Sequence, residues 1–233
     1  MRKFFLLILF IAALSTNVQA QLRFAPELGI GLYSMRFTAG QYGDVAPSMK
    51  VGGKVGGILD IDMSDHMYAQ TGLFLSLKGT KDVTTVTYAN DTISKTKETL
   101  SATYLQLPIN VLYKTGKAGY DRFFFGLGVY FAYAVGASHK YTYDVSGNGV
   151  IFQQGSVNEK LNVGSNGAYN GFDIGINAKI GYELASGIFF DGYLDYGFNN
   201  ASNNNFITEK NWGFGISAGY FIPGKKEKKT EGE

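Results

Sequence analysis

From Thr103 to Val135 apolar and polar positions alternate almost without interruption. Leu105, Leu107, Ile109, Val111 and Tyr113 fall on one parity, and Tyr104, Gln106, Asn110 and Lys114 on the other. After a short polar turn around 115–121, Phe123, Phe125, Leu127, Val129, Phe131 and Tyr133 again share a parity. Opposite them stand Arg122, Gly126, Gly128, Ala132, Ala134 and Gly136. Successive side chains of a strand leave opposite faces, so period two over this length predicts two strands of a hairpin. Ordinary strands run about 5–6 residues, whereas one that crosses a bilayer at a tilt needs about 9–11. These two have the length of membrane staves.

The same period recurs on both sides of the hairpin. It predicts strands over 23–35, 49–63, 67–78, 171–183, 188–198 and 211–222, which makes eight in all. Connections alternate in length. The turns at Ser64-Asp65-His66, around Lys117 and at Ala185-Ser186-Gly187 are tight, whereas 37–48, 79–99, 137–169 and 199–210 are long and polar. Even strand number and alternating loop length are the marks of a barrel with short periplasmic turns and long extracellular loops. The expected fold is an all-β, eight-stranded, antiparallel up-and-down transmembrane β-barrel.

A soluble, lipocalin-like ligand-binding barrel also has eight alternating strands, with its apolar face inward. The small residues decide between the two. Gly29, Gly31, Gly52, Gly56, Gly72, Gly126, Gly128, Gly175, Gly181, Gly213, Gly215 and Gly219 share the polar parity. That suits an interior only just wide enough to be filled by side chains; an exposed soluble surface would carry long Lys and Glu instead. Tyr113, Phe123, Tyr133, Phe172, Tyr182, Phe198, Trp212 and Tyr220 stand near strand ends on the apolar parity, as interfacial girdles do.

The first twenty residues add a destination. Arg2-Lys3, an apolar run from Phe4 to Leu14 and the Val18-Gln19-Ala20 motif form a signal peptide, 1–20, with cleavage before Gln21. The barrel domain is then 21–223, and 224–233 is a charged, disordered tail. The expected location is the outer membrane of a Gram-negative cell. Cys is 0, so disulfides and thiolate chemistry are excluded. A net charge of +2 without a basic stripe of interleaved aromatics argues against nucleic-acid binding.

Four segments, YLQLPINVLYK (104–114), FFFGLGVYFAY (123–133), FDIGINAKIGYEL (172–184) and YLDYGFNN (193–200), resemble successive strands of the PorT-like outer-membrane β-barrel domain family of Bacteroidetes-type bacteria. The resemblance spans Gln21 to about Pro223. It implies a barrel fold and outer-membrane location without shared catalytic residues. One member of that family is associated with the type IX secretion and gliding apparatus.

Candidate chemistry is sparse. His66 sits in a turn beside Asp65 and reads as a solvated turn residue. His139, with Asp144 or Glu159, is the one arrangement that could serve an outer-membrane hydrolase, yet nothing beside it in sequence orients a nucleophile and a base. Two His and no calcium-loop spacing leave no metal site. Gly126-Leu127-Gly128 and Gly213-Phe214-Gly215 lie inside strands and cannot cradle a phosphate. Asn90-Asp91-Thr92 matches a glycosylation acceptor, a pattern short enough to arise by chance. Glu27, Lys54, Asp60, Asp173, Lys179, Asp191 and Asp195 fall on the inward parity. In a narrow lumen they must pair, either as a register-fixing plug or along a gated ion path.

The sequence therefore predicts a monomeric, non-enzymatic membrane barrel with no cofactor, no catalytic residue and no metal site. Its partners are outer-membrane lipid and a protein held through loops 79–99 and 137–169 or the 224–233 tail. An accessory role in a secretion machine and an outer-membrane hydrolase are the alternatives.

Overall fold

The computed structural model describes residues 22–38, 44–45, 47–88, 92–117, 119–147, 150–203 and 208–223. The signal peptide, Gln21, the 224–233 tail, and Asn90 and Asp91 of the glycosylation match lie outside them. Among the described residues there are ten strands: β1 (Leu22–Thr38), β2 (Asp44–Val45), β3 (Ser48–Asp62), β4 (Met67–Thr87), β5 (Thr92–Lys114), β6 (Arg122–Gly147), β7 (Val150–Leu161), β8 (Phe172–Glu183), β9 (Ile188–Gly197) and β10 (Thr208–Tyr220).

Eight of them form a ring. The order β10-β9-β8-β6-β5-β4-β3-β1 closes through an antiparallel β1–β10 pair, Glu27 opposite Gly219 through Thr38 opposite Thr208. β2 caps the end of β1, and β7 attaches only to the far part of β6. Closure matters because unpaired backbone N–H and C=O groups in hydrocarbon cost several kcal/mol each. Pro108, in the middle of the membrane-spanning part of β5, has no N–H to give. The β4–β5 ladder is interrupted there, between Thr71–Ile109 and Phe74–Gln106.

The apolar parity points outward. Leu28, Ile30, Val55, Leu73, Leu75, Ile109, Val111, Phe125, Leu127, Ile180, Phe190 and Ile216 are all exposed on the wall. Between Phe123 near one end and Tyr133 near the other, β6 advances ten steps. At about 3.3 Å per residue and a tilt of about 40° that is roughly 25 Å, the height of a lipid-facing band. Ring pairs mark both rims: Tyr113 stacks on Phe125 at 5.2 Å and Phe123 meets Tyr182 edge-on at 4.6 Å. Tyr196 and Phe198, and Trp212 and Phe214, do the same at the other rim.

The segments read from sequence as polar connections behave differently. 79–99 and 137–169 are largely strand: β4, β5 and β6 run on past the rim without a break in pairing, and β7 adds a fourth strand. The sequence period hid this at one residue. Thr103 pairs with Gly136 and Tyr104 with Ala134, so Val135 is an extra residue in β6. Such a bulge flips the parity of everything after it.

Small residues inside the ring have a steric reason. A Cβ added at Gly128 would meet the Ile109 carbonyl oxygen and Asn110 Oδ1, whereas at outward-facing Gly192 the nearest atom is 3.9 Å away. Gly128→Val should therefore abolish the heat-modifiable folded band on gels after refolding in detergent, and Gly192→Ala should leave it intact. Overpacking of this kind costs about 1–3 kcal/mol before any ladder is broken.

Candidate functional site: a sealed lumen and a protruding sheet

The inward parity fills the lumen with charge. Arg23, Lys54, Lys78, Lys114, Arg122 and Lys179 meet Glu27, Asp60, Asp173, Glu183, Asp191 and Asp195, and most of these are buried. All seven inward charges expected from the sequence are there. Lys114, Arg122 and Glu183, which stand at strand ends, turn out to be equal members.

The network is layered. At the short-turn end, Glu183 accepts from Arg23 Nη2 (2.6 Å), Arg122 Nη2 (2.9 Å) and Lys114 Nζ (2.9 Å). Lys114 also donates to Asp60 at 2.5 Å, and Asp60 takes a second bond from Gln70 at 2.8 Å. In the middle, Lys54 reaches Glu27 at 2.6 Å, and Lys179 lies 3.5 Å from Glu27 and 3.4 Å from Asp191. Ser217 bridges the two carboxylates with contacts of 2.9 and 2.7 Å. Toward the far rim, Lys78 is 3.3 Å from Asp195 and sits 4.4 Å from the centre of the Tyr130 ring. Tyr130 and Asn211 donate to Asp173, and Asn211 also donates to Tyr104, whose hydroxyl is 2.7 Å from that of Tyr169.

Both ends are stoppered by apolar packing. Ala25, Ile58, Phe74, Phe124, Phe189 and Phe221 close the short-turn end. Met35, Ala102, Tyr104, Ala134, Ala137, Tyr169 and Ala201 close the other. The gap between Lys54, Gln70, Gln106, Asn177 and Lys179 has a volume of about 10 Å³, room for one water at most. Of the two readings of the inward charges, this packing favours the plug over the ion path. A shallow depression on the lipid wall beside Gly192 is lined by Leu28, Ile30, Ile180, Phe190 and Ile216, so its walls are hydrocarbon.

His66 is an exposed residue of the turn between β3 and β4. Its Nδ1 is 3.0 Å from the Lys114 carbonyl and its ring stacks on Tyr113. The candidate hydrolase residues divide. His139 lies opposite Glu159 in the β6–β7 register, with Nε2 3.4 Å from Glu98 Oε2. Asp144, odd steps away on the same strand, falls on the other face. The described contacts of His139 are with carboxylates and the Tyr141 ring, with no hydroxyl nucleophile among them. Half-buried Glu209 has its carboxyl pushed up by desolvation, with His139 drawing it back down.

Past the rim, β4 to β7 stand as a four-stranded sheet. From Tyr133 to Gly147, β6 advances roughly 45 Å along the strand. β7 pairs with β6 along one edge; its described residues form no second ladder. Its first three residues, Val150, Ile151 and Phe152, are 57%, 60% and 64% exposed. Sequence reasoning missed this edge because it treated the segment as loop.

A family model described as an outer membrane protein beta-barrel domain matches residues 17–203. Among solved structures, the chain is similar to Neisserial surface protein A (TM-score 0.40, 8% identity, 85% of this chain and 97% of that one). It is also similar to Ail, the attachment invasion locus protein of Yersinia pestis (0.31, 12%, 84% and 98%). A third is the outer membrane protease OmpT from Escherichia coli (0.29, 10%, 89% and 99%). Likenesses this remote carry nothing about ligand or activity. No curated protein matches the chain.

If the lumen is a plug held by matched charge, removing one shared cation strands its partners. Lys114→Met leaves Asp60 and Glu183 short of a partner and should lower stability in detergent by about 3–5 kcal/mol, read from urea unfolding by Trp212 fluorescence. The wild-type barrel in planar bilayers should show no steady conductance, and a stable open level would contradict the plug.

Proposed function

The chain belongs to the outer membrane protein β-barrel domain family, and from that premise we propose that it is a non-enzymatic surface-binding barrel whose protruding sheet holds a protein partner. The observation that carries this reading is the pairing of a sealed lumen with a sheet that extends past the aromatic rim of the ring. A filled lumen offers no path for a solute. On this reading the short turns, with Leu22 at the start of β1 and Tyr220 at the end of β10, lie on the periplasmic side, and the β4–β7 sheet faces outward.

An open strand edge presents a row of backbone donors and acceptors that an extended segment of another protein can complete. β7 supplies that edge, and Val150, Ile151 and Phe152 supply apolar anchors at its tip. Cells displaying the wild type should bind immobilised extracellular protein, and an Ile151→Asp/Phe152→Asp variant should lose about tenfold or more of that binding, the scale of a single hot spot. The variant must still shift on boiling. Undiminished binding by a folded variant would remove β7 from the reading.

A second reading, an accessory part of a type-IX-like secretion machine, rests on the PorT-like resemblance of 104–114, 123–133, 172–184 and 193–200. It places the partner in the periplasm, at the short turns and the 224–233 tail. Co-purification of a periplasmic partner that disappears on deleting 224–233 would favour it over the surface-binding role. For the hydrolase alternative, His139→Ala should leave surface binding and any lipid or peptide hydrolysis unchanged; loss of a measured hydrolysis would reinstate it.

A further inference from the structure

We propose that the membrane-side face of the protruding sheet is a binding surface for the phosphate groups of anionic lipid headgroups in the outer leaflet. The register sorts the sheet's side chains into two unlike faces. Residues directly opposite one another in paired strands share a face. One face carries the rows Gly79–Ser101–Ser138–Lys160, Lys81–Thr99–Lys140–Asn158, Val83–Lys97–Thr142–Ser156 and Thr85–Lys95–Asp144–Gln154. The other carries Thr80–Leu100–His139–Glu159 and Asp82–Glu98–Tyr141–Val157. Lys81, Lys95, Lys97, Lys140 and Lys160 are therefore all on the first face, and Asp82, Glu98 and Glu159 on the second. All five lysines are exposed.

The position of the basic face identifies its ligand. The rows continue the lipid-facing wall: Leu75 and Leu105 stand on the same parity as Lys81 and Lys97, in a row with Tyr133 and Phe172 of the rim. Along β4, Gly79 is four residues past Leu75 and Lys81 is six. At a tilt of about 40° the Lys160 and Lys81–Lys140 rows stand roughly 10–15 Å above that rim row. A lysine stem can lean down from there into the headgroup layer, which is where lipid phosphates lie. Lys95 is farther out and lies directly opposite Asp144, so it is locally balanced. The uncompensated cations, Lys160, Lys81, Lys140 and Lys97, are the ones closest to the membrane. A face built for a soluble polyanion would have no reason to concentrate its charge there. This reading stands apart from partner binding at β7, because it concerns a face and not an edge.

The test is lysine footprinting of the full mature barrel, with no substitution needed. The barrel is placed in phosphatidylcholine nanodiscs with or without a minor fraction of diphosphorylated lipid A, and each lysine's rate of acylation is read by mass spectrometry. Lys160, Lys81 and Lys140 should be slowed about fivefold by the anionic lipid. Lys97 should be slowed less and Lys95 least, and molar salt should remove the effect. A third arm adds soluble inositol hexakisphosphate to phosphatidylcholine discs at the same phosphate concentration. Equal or greater protection there would make the face a soluble-polyanion site and overturn the lipid assignment. Uniform protection of all five lysines, or none, would overturn it too. In parallel, the Lys81→Gln/Lys140→Gln/Lys160→Gln variant should retain less lipid A after detergent purification. Equal retention by the folded variant would count against the proposal. These readouts leave adhesion untouched, so they can fail while the β7 edge still binds.

Discussion

Pairing of β1 with β10 is the contact on which the rest depends. In hydrocarbon each orphaned N–H or carbonyl is expensive, and closing the ring is what leaves no orphan strand edge among the eight. A ring of eight is narrow. Its bore has room for side chains only if many of them are small, which is why Gly31, Gly52, Gly128 and Gly215 face inward against neighbouring backbone and tyrosine rings. Large polar groups occupy what remains, and in so confined a space a lone charge would be untenable. Matched clusters around Glu183, Glu27 and Asp195 follow from that confinement.

Buried ion pairs of this sort are weak evidence for stability, since hydrophobic replacements can do as well. Their use here is in registration. Glu183 on β8 engages Arg23 on β1, Lys114 on β5 and Arg122 on β6, so one carboxylate ties three other strands to a fixed height. Sliding any of them by a residue would also turn its apolar face from lipid to lumen. Plug and wall specify the same register.

The protruding sheet obeys different rules because water can satisfy its edges. Freed from the ring, it can leave β7 half-paired and can carry opposite charge on its two faces. The lipid-side rows are basic and the lumen-side rows acidic, which orients the sheet relative to an anionic surface and leaves the β7 edge accessible. On the proposed reading, anchoring and recognition fall to separate parts of one element.

The membrane-spanning part was legible from residues alone, since lipid outside and a cramped lumen inside impose a strict two-residue period. Leu105 to Tyr113 and Phe123 to Tyr133 declare their faces without any structure, and so do the inward Glu27, Lys54, Asp60 and Asp173. Outside the bilayer that constraint lapses. Water surrounds both faces of the sheet, Thr and Ser fill either one, and the extra Val135 inverts the parity of β6 as it leaves the rim. The polar segments beyond it therefore read as loops. The five lysines of the basic face are scattered over four strands between Lys81 and Lys160, and the net charge of +2 conceals them. Only pairing in three dimensions, which sets Lys81 in one row with Lys140 across Thr99 and puts Glu98 on the opposite face, decides that they share a surface.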